Sequence, residues 1–117
     1  MQDNVVERKS FDFAVRIVNL YRHLSKKEHE FVLSKQLLRC GTSIGANVRE
    51  AQRAQSRADF YSKMSIALKE ANETLYWIEL LYKTEFLTQL QYQSIRDDST
   101  ELLRILMAIC KSSQTEN

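Results

Sequence analysis

The apolar residues of this chain recur at the three- and four-residue spacing of amphipathic helices. Short polar stretches divide the pattern into four segments, which predict helices over residues of about 8–25, 30–54, 57–84 and 88–111. Typical members of the four apolar stripes are Phe13 and Ile17, Leu37 and Ile44, Met64 and Ile78, and Leu102 and Leu106. The pattern therefore predicts an all-helical protein.

The first helix carries a second apolar stripe beside the first. Phe11, Val15 and Val18 form this second stripe, which makes the apolar arc of the helix wide. We expect a helix of this kind to be buried on two sides.

Two of the later helices have recognisable start signals. Ser56 is a favourable N-cap, and Asp59 places an acid in the first turn of the third helix. Thr88 is expected to cap the fourth helix. The polar run Asp-Asp-Ser at residues 97–99 is expected to kink or fray that helix.

Composition narrows the fold further. The 117 residues include no proline and only two glycines, so the turn chemistry of β-sandwiches and α/β folds is absent. The length suits a single domain with one core. Short connections make successive helices antiparallel, which predicts an all-α, up-down-up-down four-helix bundle over residues 1–117. Heptad-like packing implies left-handed helix crossing at about +20°.

The two cysteines and the first four residues indicate the cellular compartment of the protein. Cys40 and Cys110 each fall on an apolar helical stripe, which favours two buried thiols in a reducing cytosol. A disulfide between helices two and four is the alternative. Residues 1–4 lack a basic segment followed by an apolar one, so no signal peptide is expected. Because no apolar run approaches the length of a membrane span, we expect a cytoplasmic protein with no membrane partner.

Positive charge is concentrated in helix two and the residues that follow it. The net charge is only +2, but residues 35–57 hold five bases and a single acid. The five bases lie opposite the apolar stripe and are Lys35, Arg39, Arg49, Arg53 and Arg57. The last three recur every four residues, so their side chains form a ladder that can follow phosphates. We therefore predict nucleic-acid binding by Lys35, Arg49, Arg53 and Arg57; solvated faces of amphipathic helices are the alternative.

Both glycines of the chain lie in helix two. Gly41 and Gly45 are grouped with Thr42 and Ala46 on the outer face, between the bases. A glycine inside a helix costs about 1 kcal/mol relative to alanine. The close approach of another backbone would recover that cost, so a second helix is expected to pack against this face.

One flank of helix three combines large apolar side chains with acids. Ile66, Trp77 and Leu81 lie there together with Glu70 and Glu73. Exposed Trp and Ile side chains are a liability on a monomer, so we expect another chain to cover this flank. Ile66 and Trp77, with the two glycines of helix two, form the predicted subunit interface.

A polar stripe runs beside the apolar face of helix two. Its members are Gln36, Ser43, Asn47 and Glu50. Such a stripe sits at the edge of a core, where each polar group needs a partner. Arg39 and Glu73 are expected to form an ion pair, either across the subunit boundary or within the bundle.

Catalytic chemistry finds little support in the sequence. His23 and His29 lack the spacing of a helical metal pair, and Cys40 has no histidine near it in the sequence. There is no Gly-rich phosphate loop, and there is no Glu-x-x-His motif of the kind that di-metal bundles use. We therefore predict a protein that is not an enzyme and uses no metal or cofactor.

Residues 36–51, QLLRCGTSIGANVREA, resemble the signature of the bacterial four-helix-bundle family of 23S rRNA intervening-sequence proteins. The other matching positions are Phe13 to Leu20, Asp59-Phe60, Ile66-Ala67 and Glu73-Thr74. The resemblance covers residues of about 8–110. One departure is Lys69-Glu70, which stands where the family often has a small Gly-Ser pair. This difference affects local packing and the assignment to a subfamily.

The resemblance implies a homopentameric barrel of antiparallel bundles, with helices of neighbouring subunits at the interfaces, and no known enzymatic activity. Some members of the family are encoded in insertions within 23S rRNA genes. A related group, the accessory proteins of diversity-generating retroelements, associates with a reverse transcriptase and binds nucleic acid through basic surface residues. The motif residues that carry over to this chain are Gln36, Arg39, Ser43, Asn47, Glu50 and Glu73.

Two functions remain open on the sequence. The first is an oligomer that binds RNA or DNA through the basic face of helix two. The second is a structural or protein-partner scaffold, in which the same arginines pair with acids of a neighbouring chain or of another protein.

Overall fold

The computed structural model describes residues 4–115, which form four helices joined by short turns. The helices are α1 (Val5–Lys26), α2 (Leu33–Ala51), α3 (Arg57–Lys83) and α4 (Gln89–Thr115). Each helix packs against its neighbours in sequence, and α1 also meets α4, so the four close into an antiparallel bundle of 47 × 25 × 20 Å. The predicted all-α, four-helix architecture is confirmed.

The apolar stripes of the four helices meet in one continuous core. Its fully buried large side chains are Ile17, Leu24, Leu37, Ile44, Met64, Ile78, Leu81 and Leu106. Each such side chain stabilises the fold by about 1.5–3 kcal/mol relative to leaving it exposed. The prediction that Leu81 lies on an exposed flank is wrong, because this residue faces the core.

Both cysteines are buried and free, as the burial prediction required. Burial raises the pKa of the Cys40 thiol and of the Cys110 thiol. Raised pKa values keep the thiols protonated at neutral pH, so both side chains act as small hydrophobic groups of the core.

The N-terminus of α2 is capped by a side chain that lies before the helix. The Glu30 carboxylate accepts hydrogen bonds from the backbone N–H groups of Val32 (3.1 Å), Leu33 (3.0 Å) and Ser34 (2.7 Å). Glu30 is nearly buried, and burial opposes its ionisation, but the backbone hydrogen bonds outweigh that effect and lower the pKa of its carboxyl. Helix two therefore begins at Leu33 rather than near residue 30, because Glu30 serves as the cap instead of the first turn.

The two start signals in the sequence are confirmed. The backbone N–H of Asp59 donates to the Ser56 hydroxyl at 3.0 Å at the start of α3. At the start of α4, the N–H of Gln91 donates to the Thr88 hydroxyl at 3.2 Å, and the Gln91 side chain accepts from the Thr88 N–H at 2.9 Å. This reciprocal pair is a capping box.

The polar run at residues 97–99 does not break α4. The helix continues through it to Thr115, so the expected fraying does not occur in this segment. The Asp97 side chain accepts a hydrogen bond from Gln93, Asp98 pairs with Arg16 of α1, and Ser99 is buried. Because the Asp97 and Asp98 carboxylates bond to other side chains, they do not compete with the backbone hydrogen bonds of the helix.

The glycines of α2 allow α1 to approach closely. A Cβ atom at Gly45 would lie 3.1 Å from the carbonyl oxygen of Ser10, and one at Gly41 would lie 2.9 Å from two side-chain carbons of Ile17. The predicted close approach of a second backbone therefore exists, and α1 of the same chain supplies it. The predicted position of Gly41 on the outer face is wrong, since Gly41 is buried beneath α1.

We predict that Glu30→Gln lowers the free energy of unfolding by about 1–2 kcal/mol at pH 7. An amide offers a single acceptor oxygen to the three N–H groups of the α2 terminus and presents its own NH₂ group to the rest. The pKa of Glu30 is lowered in the folded state, so its stabilisation is complete above the unfolded value of about 4.3 and is lost as the pH falls through the folded value.

Denaturant unfolding between pH 7 and pH 3 checks this prediction. The stabilities of the parent and Glu30→Gln proteins should differ most at neutral pH and converge in acid. Glu79→Gln, which changes an exposed acid of α3, is the control and should change stability little at any pH. A constant difference between the parent and Glu30→Gln across this range would show that the Glu30 charge does not stabilise α2.

We predict that Gly45→Leu destabilises the bundle itself by about 1–3 kcal/mol, because its side chain would collide with the backbone of α1 at Ser10. Ala46→Leu is the matched control, since Ala46 is exposed one position away. Thermal unfolding of the two variants is the measurement. A Gly45→Leu protein with the melting temperature of Ala46→Leu would contradict the close approach.

Candidate nucleic-acid interface

The predicted arginine ladder does not run along one helix. Helix α2 ends at Ala51, so Arg53 lies in the following turn and Arg57 is the first residue of α3. The turn is tightened by hydrogen bonds from the N–H of Arg53 to the carbonyl of Glu50 (3.0 Å) and from the N–H of Ala54 to that of Ala51 (3.1 Å). The single helical row is therefore wrong, and the three arginines occupy the turn between α2 and α3 and its flanks. We call residues 49–57 the basic turn.

The basic turn exposes all three of its arginines, but Arg49 is held in place. The Nε atom of Arg49 lies 3.2 Å from Glu7 Oε2, and its guanidinium carbon lies 5.3 Å from the centre of the Phe11 ring. Its side chain is still 58% exposed. Part of its charge is thus compensated by α1, and its side chain has less freedom to adapt to a ligand.

Arg53 and Arg57 have different surroundings. The Arg53 guanidinium has no ion-pair or hydrogen-bond partner among residues 4–115. Arg57 begins α3, whose N-terminal N–H groups add a partial positive charge to the same place. Ser56 and Asp59 cap that terminus, so the exposed guanidinium groups are the accessible cationic groups here.

A shallow cavity lies against the basic turn. Its volume is about 380 Å³, and its lining combines backbone and side chains of the turn with α3 and the end of α4. The lining residues are Ala51, Gln52, Ala54, Gln55, Ser56, Arg57, Phe60 and Ser113. With one arginine and two glutamines in its lining, the cavity can accept a polar or anionic group.

Lys35 does not belong to this surface. It lies in the first turn of α2, fourteen residues before Arg49, which corresponds to about 21 Å along the helix axis. The structure therefore does not bring the four predicted nucleic-acid-binding residues into one patch. Lys35 is an exposed base at the opposite end of the bundle.

The ion pair expected between Arg39 and Glu73 forms within the bundle, between α2 and α3. Arg39 contacts Glu73 and also Glu70, whose Oε1 lies 3.5 Å from Arg39 Nη1. Burial opposes the charge of the guanidinium, but attraction to the two carboxylates raises the pKa of Arg39. Gln36 accepts from Arg39 at 3.4 Å, and the Trp77 indole donates to Glu73 at 3.1 Å. This network joins two helices of one chain.

The other members of the polar stripe are also satisfied inside the chain. The Ser43 hydroxyl donates to the Arg39 carbonyl at 2.7 Å, and the Asn47 side chain donates to the Ser43 carbonyl at 2.9 Å. Glu50 lies 3.8 Å from the Lys63 ammonium group. These side chains follow α2 and do not converge on a common point, so they stabilise the helix and its edge rather than form a binding pocket.

Exposed apolar side chains lie on both sides of α2. On the α3 side, Ile66 is 41% exposed, as predicted, whereas Trp77 is half-buried and bonded to Glu73. On the α1 side, Phe11 is 51% exposed and Val15 is 46% exposed. Both residues belong to the second apolar stripe of helix one, so the expectation that this stripe is buried is wrong for them. The assignment of Gly41, Gly45, Ile66 and Trp77 to a subunit interface stays a prediction.

A small apolar groove separates α1 from α2. It has a volume of about 220 Å³, and its lining residues are Phe11, Ala14, Thr42, Gly45, Ala46 and Arg49. Gly45, which has no side chain, forms the floor of this groove. Arg49 closes the groove at the end nearest the basic turn, so the apolar surface and the cationic surface are continuous.

The described residues contain no group of three or more His, Cys, Asp or Glu side chains placed to hold a metal ion. None of the helices within residues 4–115 combines the length and apolar character that a membrane span requires.

Comparison with known proteins places the chain in a family. Residues 2–108 match the family described as 23S rRNA-intervening sequence protein. A crystal structure of a protein of unknown function from the S23 ribosomal protein family, from Bacteroides thetaiotaomicron VPI-5482, is 63% identical in sequence. The match covers 91% of this chain and 98% of that chain, with a TM-score of 0.89. No curated protein matches the chain. The resemblance drawn from residues 36–51 is confirmed, and this chain belongs to the 23S rRNA-intervening sequence protein family.

Proposed function

We propose that this protein is a non-enzymatic, oligomeric four-helix bundle that binds nucleic acid through the basic turn. The observation that carries the proposal is the state of Arg53. Its guanidinium is exposed and has no ion-pair or hydrogen-bond partner within residues 4–115, although acids engage Arg16, Arg39 and Arg49. An exposed, unengaged arginine beside a second arginine is a suitable group for a phosphate backbone.

The electrostatics of the basic turn favour a polyanion. Residues 49–57 contain three arginines and one acid, Glu50, and that acid faces the Lys63 ammonium. The positive end of the α3 dipole lies in the same place. Phosphate contacts need no base-specific geometry, so a flexible arginine in a turn can serve as well as one on a rigid helix.

Self-assembly would multiply this modest charge. Phe11 and Val15 on one side of α2 and Ile66 on the other are large apolar groups that a second copy can cover. An assembly of five, the number that the family resemblance implies, would display about fifteen arginines from the three positions of the basic turn. Binding by many weak phosphate contacts depends steeply on salt.

A second function, a scaffold for a protein partner without nucleic-acid binding, is supported by the engaged arginines. Arg49 lies between Glu7 and Phe11, and Arg39 lies between Glu70 and Glu73, so both serve packing within the chain. In this alternative, Arg53 and Arg57 pair with acids of another protein. A reverse transcriptase is the class of partner that the related retroelement proteins suggest.

We predict that Arg53→Glu combined with Arg57→Glu weakens binding to RNA and DNA by at least about tenfold at 100 mM salt, because it replaces two phosphate contacts with repulsion. The mass of the assembly should not change. Fluorescence anisotropy with short duplexes, together with light scattering on the same samples, measures both quantities.

The matched control is Arg22→Glu combined with Lys35→Glu. It changes the net charge by the same amount at the opposite end of the bundle, and it should leave affinity within about twofold of the parent protein. Equal losses in both variants would show that only the overall charge matters and would contradict binding at the basic turn. Dissociation of the Arg53→Glu, Arg57→Glu protein to monomers would instead place these arginines in a subunit contact.

A further inference from the structure

One side of the bundle is closed by polar side chains rather than by apolar packing. On α1, Lys9, Arg16 and His23 recur every seven residues and therefore lie on one face of the helix. All three point across the gap toward α4. The Lys9 ammonium forms an ion pair of 2.8 Å with Glu101.

The other two side chains of this face also reach α4. Arg16 forms an ion pair of 2.6 Å with Asp98 and donates to the Ser94 hydroxyl (2.9 Å) and the Ser94 carbonyl (3.2 Å). The ring Nε2 of His23 lies 3.5 Å from the side-chain nitrogen of Gln91. Because the two helices are antiparallel, the three contacts follow one another along the gap as successive rungs. We call this set of contacts the α1–α4 seam.

The packing beneath the seam is the least complete in the bundle. Helices α1 and α4 contact each other far less than any other neighbouring pair does. A cavity of about 480 Å³ lies between the rungs of Arg16 and His23, and one of about 200 Å³ lies between those of Lys9 and Arg16. Their inner walls include Ile95 and Leu102, both core residues.

The ion pairs of the α1–α4 seam are exposed to solvent, so each contributes little to stability. The Lys9 and Glu101 side chains are 36% and 53% exposed, and those of Arg16 and Asp98 are 40% and 48% exposed. An ion pair with this exposure shifts a local equilibrium by a factor of about two to five in dilute salt. Dissolved salt screens such a pair at a Debye length of about 3 Å in 1 M solution.

Each flanking helix pair has contacts that salt does not weaken, although the exposed Arg49–Glu7 ion pair also links α1 to α2. On one side, α1 is packed against α2 at Gly45. On the other side, α4 is packed against α3, where the rings of Tyr82 and Tyr92 stack at 4.0 Å. If one pair of neighbouring helices separates while all four helices stay folded, we therefore expect it to be α1 and α4.

We propose that the α1–α4 seam is a salt-sensitive latch through which the bundle opens, exposing the core stripe of Phe13, Ile95 and Leu102 while the other three helix pairs stay closed. Opening requires the loss of the two ion pairs, of the Arg16–Ser94 hydrogen bonds and of the His23–Gln91 contact, and it exposes the apolar stripe to water. The device is independent of nucleic-acid binding, because all its residues lie outside the basic turn.

Thiol labelling of Leu102→Cys tests the proposal in the full-length, assembled protein. Leu102 is 2% exposed beneath the seam, and the buried Cys40 between α2 and α3 reports opening of the whole fold in the same molecule. The probe is a maleimide, and mass spectrometry of peptides separates these two thiols from each other and from Cys110, the other free thiol of the chain. We expect the new thiol to react at least about five times faster than Cys40, and this ratio to rise about fivefold from 0.05 to 1 M NaCl.

Equal labelling rates at both thiols, or a ratio that salt does not change, would overturn the proposal. Should Leu102→Cys fail to fold, Ile95→Cys places the thiol beneath the neighbouring cavity and makes the same test, since Ile95 is 3% exposed.

Substitutions at the latch provide an independent test in the Leu102→Cys background. Arg16→Met keeps an unbranched side chain but loses the contacts to Asp98 and Ser94, and it should raise the labelling rate at low salt about fivefold. Arg22→Met, an exposed position on the same helix, is the control and should not change the rate.

Reversing the charges of Arg16 and Asp98 then distinguishes the loss of their ion pair from other effects of substitution. Asp98→Arg alone should speed labelling, because it places two cations together, and adding Arg16→Asp should restore slow labelling. A double variant labelled as fast as Asp98→Arg would show that the pair does not close the seam.

Discussion

The approach of α1 to α2 at Gly45 determines how the rest of the surface is arranged. A Cβ atom at this position would lie 3.1 Å from the carbonyl oxygen of Ser10, so any side chain there would push α1 outward. The approach brings Glu7 and Phe11 of α1 to Arg49 of α2. Helix α1 therefore packs more closely on α2 than on α4. Cavities and exposed ion pairs lie between α1 and α4.

This arrangement divides the arginines of residues 39–57 into two groups. Arg39 and Arg49 are engaged by acids of neighbouring helices, and their charges stabilise contacts between α2 and the helices beside it. Arg53 lies beyond the end of α2, out of reach of those acids, and Arg57 starts the next helix. The position of the turn therefore leaves the Arg53 guanidinium outside the ion pairs that engage Arg39 and Arg49. Nucleic-acid binding is proposed for the basic turn for that reason.

The sequence predicted the parts of the structure that depend on local periodicity. The four helices and the core positions Ile17, Ile44 and Ile78 follow from the 3.6-residue repeat, and the caps at Ser56 and Thr88 follow from residue chemistry within one turn. The end of α2 at Ala51 was missed because no glycine or proline marks it. The partner of the glycines was also missed, since helical spacing shows which face is small but not which helix approaches it. The predicted ladder of Arg49, Arg53 and Arg57 was wrong because the end of α2 at Ala51 was missed.

The most direct test of the central claim is the salt dependence of binding by the unmodified protein. Nuclease-treated protein would be titrated with short RNA and DNA duplexes between 50 and 300 mM salt, and its mass measured by light scattering in the same buffers. We predict an oligomer whose binding constant falls linearly with salt on logarithmic axes, with a slope that corresponds to several phosphate contacts. An oligomer that binds neither nucleic acid even at 50 mM salt would contradict the claim and leave the protein-partner scaffold as its function.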